Sequence, residues 1–474
     1  MAIKSIKVKV IKTQIVAPKQ PWSEHRLPLT NLDLVVPPID LGCFFCYKKP
    51  HDYQTNLITM VDALKTSLSQ LLLLFYPLAG EIVPNFAGEP EILCNYKGVE
   101  FTEATSDVEL WELDFHNHDE NVGKKLVPEK HHGVLAVQVT MLKCGGMVIG
   151  CLFDHRVVDG YSINMFTASW ANMTRSQPPS LIPNFDRSNL KPRSSKRYTP
   201  TVANMFLPLS KLTSPQGENN RDQADILDQD SVISRIYYME GEEITRLKLL
   251  ASENGRRRSK MESFASFLWK ITGSFLEDSG RTGYMCNIAI PVDGRRKLSE
   301  GEGVEKQKLM AARCGNVFSM PFQGIRAKDL VDMPLASVAN QVHELFESAA
   351  TKEHFKQLID WVEDQRPTPL ISRPFAENEK TFSIMVSSGL RFSLLGDMDF
   401  GWGKPVLISS HVPTTRMDCH VMPIASPIND DDWIVYMRLP KKQLEYMEIH
   451  VARVFKPLTA DYLQRALNLR VSRI

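Results

Sequence analysis

The chain lacks an excess of charge of either sign. Its 56 Lys and Arg residues against 55 Asp and Glu leave a net charge of +1. That removes the basic surplus with which a protein holds nucleic acid or an anionic bilayer. Long apolar runs are missing too: none is read as long enough to span a bilayer. The opening Met1-Ala-Ile-Lys-Ser-Ile-Lys-Val alternates like a strand and lacks the apolar stretch of a signal peptide. Cysteine is sparse, with eight residues scattered through 474. Cys43-Phe-Phe-Cys46 has no second pair to complete a zinc site, so the thiols are expected to be buried and unpaired, and no metal is expected. There is no internal repeat and no low-complexity tract. A soluble, cytoplasmic monomer follows as the expectation. Its length exceeds one ordinary core and predicts two domains.

What is present is patterned. Alternation over 6–16 predicts a strand. Ile39-Asp-Leu-Gly-Cys-Phe-Phe-Cys-Tyr47 reads as a buried strand, and Val61, Leu64, Leu68, Leu71, Leu72 and Phe75 as one face of a helix. The acidic stretch Asp114-Phe-His116-Asn-His118-Asp-Glu120 suggests a metal at first sight. No further ligand is spaced to close a site, so a solvated loop is expected there. From Ser176 to Gln223 proline, serine and basic residues replace periodicity, which predicts a connection between domains. Beyond it, Ser231 to Tyr238 reads as a strand. Ser259-x-x-Glu262 is a capping box that opens a helix. Trp433 to Leu439 reads as a late strand.

One stretch carries the chemistry. Val134 to Met141 alternates, Cys144-Gly145-Gly146 signals a turn, and Met147 to Phe153 is continuously apolar. A hairpin with a buried second strand follows. Asp154-His155-Arg156-Val157-Val158-Asp159-Gly160 comes next, then apolar residues at helical spacing, Ile163, Phe166 and Trp170. His155 therefore sits where a buried strand ends and a helix begins. Histidine suits general base work because its ordinary pKa lies near neutrality. Acyl transfer from a thioester needs little more: the thiolate leaves readily, and the attacking hydroxyl or amine has only to lose its proton. The competing reading of His155 is a plain partnered histidine, and the motif alone does not decide between them.

A second stretch lies far downstream, Asp399-Phe400-Gly401-Trp402-Gly403-Lys404-Pro405, a tight turn of aromatics and glycines read as a structural loop. In this order and spacing the two stretches resemble those of the plant BAHD acyltransferases. Tyr76-Pro77-Leu78-Ala79-Gly80, Asp293-Gly294-Arg295-Arg296-Lys297 and Gly315-Asn316-Val317 resemble three further segments of that family, and Pro28-Leu-Thr-Asn-Leu-Asp-Leu34 with the pair Pro37-Pro38 its leucine-aspartate entry segment. Leaving the leucine-aspartate segment aside, the five ordered matches cover nearly the whole chain.

The resemblance implies an α/β fold of two chloramphenicol-acetyltransferase-like domains, each a mixed sheet flanked by helices, with an active-site channel at their interface. It divides the chain into residues 1–175 with His155, a crossover at 176–223, and residues 224–474 with the Asp399–Gly403 motif. It implies His155 as general base and Asp159 turned away from the substrate, paired with Arg295 across the domains. Asp399, Gly401, Trp402 and Gly403 would form a loop that maintains the fold. Acyl-CoA would be a co-substrate, and no cofactor would be permanently bound. Cations beside a helix start suit phosphate, so Lys248, Arg256, Arg257, Arg258, Ser259 and Lys260 are candidates for the coenzyme A phosphates. Ser387, Ser388 and Arg391 are candidates for the acceptor pocket. Glu81, Phe44 to Lys48 and Phe153-Asp154 look most like the coniferyl alcohol acyltransferase group, which implies acetyl or hydroxycinnamoyl transfer to a phenylpropanoid alcohol. Transfer to shikimate, quinate or an amine stays open, as does a binding protein without turnover. Nonribosomal peptide condensation domains share the fold, but Asp154 stands where their first histidine would be.

Overall fold

The computed structural model describes residues 6–19, 23–50, 57–123, 125–211, 231–252, 255–376, 380–390, 398–413, 419–429 and 431–468. Two mixed sheets organise it. The first runs Val8–Val16, Val99–Ser106, Leu135–Leu142, Met147–Asp154, Asp40–Tyr47 and Leu407–His411 in spatial order. Only the pair 99–106 and 135–142 is parallel. The second runs Phe322–Arg326, Met285–Ala289, Thr381–Val386, His420–Ala425, Trp433–Pro440, Val232–Met239 and Lys456–Pro457. Its parallel pairs join 285–289 to 381–386 and 381–386 to 420–425.

The predicted hairpin forms in register, Leu135 opposite Phe153 and Met141 opposite Met147, across the turn at Gly145. All eight residues of Met147–Asp154 are buried. A strand covered on both faces carries apolar residues at every position instead of alternating. One face of the first sheet, with Phe45, Ile149, Cys151 and Phe153, packs on the helices Leu57–Leu74 and Gly160–Thr174. The other, with Phe44, Val148 and Leu152, meets Ile236, Ile434 and Tyr436 of the second sheet. The helices Gly241–Ala251, Lys260–Asp278 and Leu335–Ala349 close the outer face of the second sheet.

Three expectations are corrected. The helix Leu57–Leu74 is long and apolar enough to cross a bilayer by length and composition, contrary to the reading of short apolar runs. Its Val61, Leu64, Leu68, Leu71 and Leu72 are spent on the first core. The crossover is not a clean division either. Leu407–His411, from the second half of the chain, is an edge strand of the first sheet, paired with Asp40–Tyr47. Within the crossover itself, Phe206–Pro208 pairs with Leu370–Ser372, while residues 212–223 lie outside the described residues. Finally, the His116–His118 stretch is no solvated loop. His118 is fully buried in the short helix His118–Asn121, and its Nε2 lies 2.9 Å from Nδ1 of His411. Asp119 accepts the N–H of Ser234 at 2.7 Å, so the segment is clamped between the two sheets.

Candidate active site

His155 follows the last residue of the buried strand, and its own N–H is bound by the carbonyl of Ile39 at 2.9 Å. The ring is buried, with Nδ1 2.9 Å from the carbonyl of Val158. A carbonyl only accepts, so Nδ1 carries the proton and Nε2 keeps its lone pair. Phe318 stacks on the ring at 5.8 Å between centroids. Burial lowers the His155 pKa below its ordinary value, against the opposing pull of its backbone contacts and of Asp159 and Asp154. The imidazole is thus neutral, oriented and basic at one atom. Asp154 beside it is neutralised by Arg156, whose Nε and Nη2 reach the two carboxylate oxygens at 2.9 and 2.6 Å.

Asp159 does not orient His155. It caps the helix Gly160–Thr174, accepting the N–H of Ser162 at 2.9 Å, and also accepts the N–H of Val317 at 3.1 Å. Arg295 grips it with two parallel bonds of 2.8 and 3.0 Å. Burial raises the Asp159 pKa, but Arg295 and the two N–H donors outweigh it, and the net shift is downward. Arg295 is itself buried. It also bonds Asp293 at 2.6 Å and the carbonyl of Gly315 at 2.8 Å, and lies 4.4 Å over the ring of Tyr161. This bidentate pair joins the two halves directly behind the His155 loop.

A second brace was not assigned from the sequence. Asn316 donates from Nδ2 to the carbonyl of His155 at 2.8 Å. Its own position is set by Asp33, which accepts the Asn316 N–H at 2.8 Å and Nδ2 at 3.1 Å. Thr30 donates to Asp33 in turn, from N–H and Oγ1, at 2.8 and 2.7 Å. Asp33 and Gly315-Asn316-Val317 stood out as motifs, but nothing local said that they touch.

The Asp399–Gly403 motif is a turn around its own carboxylate: Asp399 Oδ1 accepts the N–H of Gly401 and Gly403 at 2.8 and 2.9 Å. Both glycines have φ above +100°. Phe400 is buried against Trp170, Tyr47 and Trp402 at 5.1, 5.9 and 5.7 Å. The loop therefore packs on the first core although it is coded in the second half.

Of the candidate phosphate cations, Arg258 is buried and donates to Asn340. Ser259 spends its hydroxyl on the N–H of Glu262 at 3.1 Å, as the capping box predicts. Lys260 pairs with Asp431 at 3.1 Å. Arg256 and Arg257 are exposed and Lys248 half-exposed. In the candidate acceptor pocket, Ser387 bonds His420, with Oγ 2.6 Å from Nε2. Ser388 is exposed, and its hydroxyl takes the N–H of Leu390 at 3.4 Å. Arg391 lies outside the described residues. His420 went unnoticed in the sequence; its one signal is a lone polar side chain heading an apolar strand.

A neutral, single-tautomer histidine thus stands beside the first sheet, its loop braced by a buried Asp–Arg pair. A family profile described as "Transferase family" matches residues 6–453, and the chain belongs to that family, the BAHD acyl-CoA-dependent acyltransferases. It is 28% identical to anthranilate N-benzoyltransferase protein 1 of Dianthus caryophyllus, over 84% of this chain and 89% of the relative. It is 26% identical to shikimate O-hydroxycinnamoyltransferase of Nicotiana tabacum, over 94% and 99%. The crystal structure of vinorine synthase superposes with a TM-score of 0.71 at 19% identity, covering 96% of this chain and all of that one. The two-domain α/β expectation holds.

Proposed function

We propose that the chain transfers an acetyl or hydroxycinnamoyl group from a coenzyme A thioester to the hydroxyl of a phenylpropanoid alcohol of the coniferyl type. His155 is the general base. The observation that carries the reading is the Nδ1 bond to Val158, which leaves a neutral Nε2 as the basic atom in a site where burial resists protonation. Nε2 takes the hydroxyl proton as the oxygen attacks the thioester carbonyl. When the carbon–sulfur bond breaks, the thiolate receives that proton from Nε2. Asp159 and Arg295 keep the loop in shape and take no proton. Arg256, Arg257 and Lys248 are the cations offered to the coenzyme A phosphates. None of the eight cysteines is in a disulfide, which supports a reducing compartment, the cytoplasm; the enzyme acts as a monomer.

The alcohol subgroup rests on Glu81, Phe44 to Lys48 and Phe153-Asp154. An amine acceptor is the second reading, because the Dianthus relative is named an N-benzoyltransferase. The test pairs acetyl-, coumaroyl- and caffeoyl-CoA with coniferyl alcohol, shikimate, quinate and a polyamine, following thiol release and product mass. Transfer to coniferyl alcohol supports the proposal. Transfer to shikimate or quinate keeps hydroxycinnamoyl chemistry and discards the subgroup. Transfer only to the polyamine replaces ester with amide formation. Coenzyme A binding without any turnover would sink the proposal in favour of a binding protein.

A further inference from the structure

His420 heads its strand on the face of the second sheet that looks toward the first half. Cross-strand register sets Ala289, Met385, His420, Arg438 and Ser234 in one row, and residues in one row share a face. Ala289 and Met385 pack in the same cluster as Ile39 and Val317, the residues that bind the N–H of His155 and the carboxylate of Asp159. His420 is the next member of that row. It is 4% exposed, and Ser387 fixes its Nε2 at 2.6 Å. Its Nδ1 is buried with no hydrogen-bond partner among the described residues. A polar atom sealed from water without a partner is costly, and in a native structure such an atom calls for a partner outside the protein.

We infer that His420, braced by Ser387, is a positioning residue for the acyl acceptor, its Nδ1 binding a second, neutral hydroxyl of the acceptor while His155 acts on the hydroxyl that reacts. This rests on the alcohol acceptor proposed above and narrows it to acceptors with two hydroxyl groups, as in a phenolic alcohol. A hydroxyl both donates and accepts, so it satisfies Nδ1 in either tautomer. Burial holds the His420 pKa down at about 4, so the ring offers a carboxylate no charge. Arg438, next in the row, bonds Ser234 Oγ at 3.4 Å, and its charge bears on His118.

The experiment compares p-coumaryl alcohol with cinnamyl alcohol, which keeps the reacting hydroxyl and lacks the phenolic one. The proteins are wild type, His420→Ala, His420→Asn and His420→Gln, each checked by thermal melting. In the wild type the KM for p-coumaryl alcohol should be lower by about three- to tenfold, the worth of one hydrogen bond. His420→Ala should erase that difference and leave the KM for acyl-CoA within twofold. Asparagine, which places a polar atom near Nδ1, should restore it; glutamine, which reaches the Nε2 position, should not. Equal KM values in the wild type overturn the inference even if no variant folds. So does an alanine variant that raises both alcohol KM values equally, or that raises the KM for acyl-CoA. A wild type that acylates neither alcohol overturns the proposed function itself, and the inference with it.

Discussion

The protonation of His155 sets what the site can do at a given pH. Its pKa is lowered by burial, so the neutral base persists below the ordinary histidine value of about 6.5. On the proposed mechanism the acid limb of kcat/KM therefore falls below pH 6.5, and a limb at or above that value contradicts the assignment. Stability follows the same sign. As pH drops below the unfolded pKa, the unfolded chain takes a proton that the folded ring resists, and the fold loses stability. Replacing His155 by Ala should lower kcat by roughly a hundredfold to ten-thousandfold, the reach of general base catalysis, with a cooperative melt retained. Equal turnover in a folded variant would remove His155 from the chemistry. This residue was legible because strand, motif and helix start coincide within one short stretch. His118 and His420 were not legible. Their burial comes from contacts with His411 and Ser387, and no local pattern announces a partner so far along the chain.

At the scale of elements, the helix Gly160–Thr174 starts on a carboxylate shared with the other half of the molecule. Asp159→Ala removes the cap and leaves Arg295 buried with only Asp293 as a carboxylate partner. Breaking one side of a buried pair costs about 3–5 kcal/mol, so the urea midpoint should drop markedly. A midpoint near wild type would show that the pair contributes little. The glycine turn permits a cleaner test. A Cβ at Gly403 would meet no atom of the described residues within 4 Å, yet φ there is +104°. Gly403→Ala should therefore cost about 1–2 kcal/mol through backbone conformation alone, without touching the KM for either substrate. A changed acceptor KM would place this loop in the pocket instead. The capping box at Ser259 was read correctly because both of its bonds are local. The partner of Arg258 was not legible in the same way, because Asn340, which takes its guanidinium, lies on a different helix.

The whole molecule is held by exchanges between its halves: the Asp159–Arg295 pair, the Asp33–Asn316 brace, the Phe400 loop on Trp170, and the strand Leu407–His411 in the first sheet. Single strands could be read from periodicity, and the two sheets were implied by the family resemblance. The strand 407–411 could not be assigned to the first sheet, because a short apolar run does not say which edge it will join. Residues 1–211 expressed alone should be insoluble, leaving Asp40–Tyr47 as an open edge. Co-expression with residues 212–474 should restore soluble, active protein; a soluble, monomeric first fragment would show that the edge strand is dispensable.

That borrowed strand also sets the order of events during synthesis. Ribosomes deliver the chain from its N-terminus at about 5–20 residues per second. The edge carrying Cys43, Phe44, Phe45 and Cys46 thus emerges early and waits for a partner made almost last. For most of translation the first sheet is incomplete, and this largely apolar strand is open to other nascent chains. The arrangement that joins the halves in the finished enzyme makes its yield depend on whatever shields that edge in the meantime.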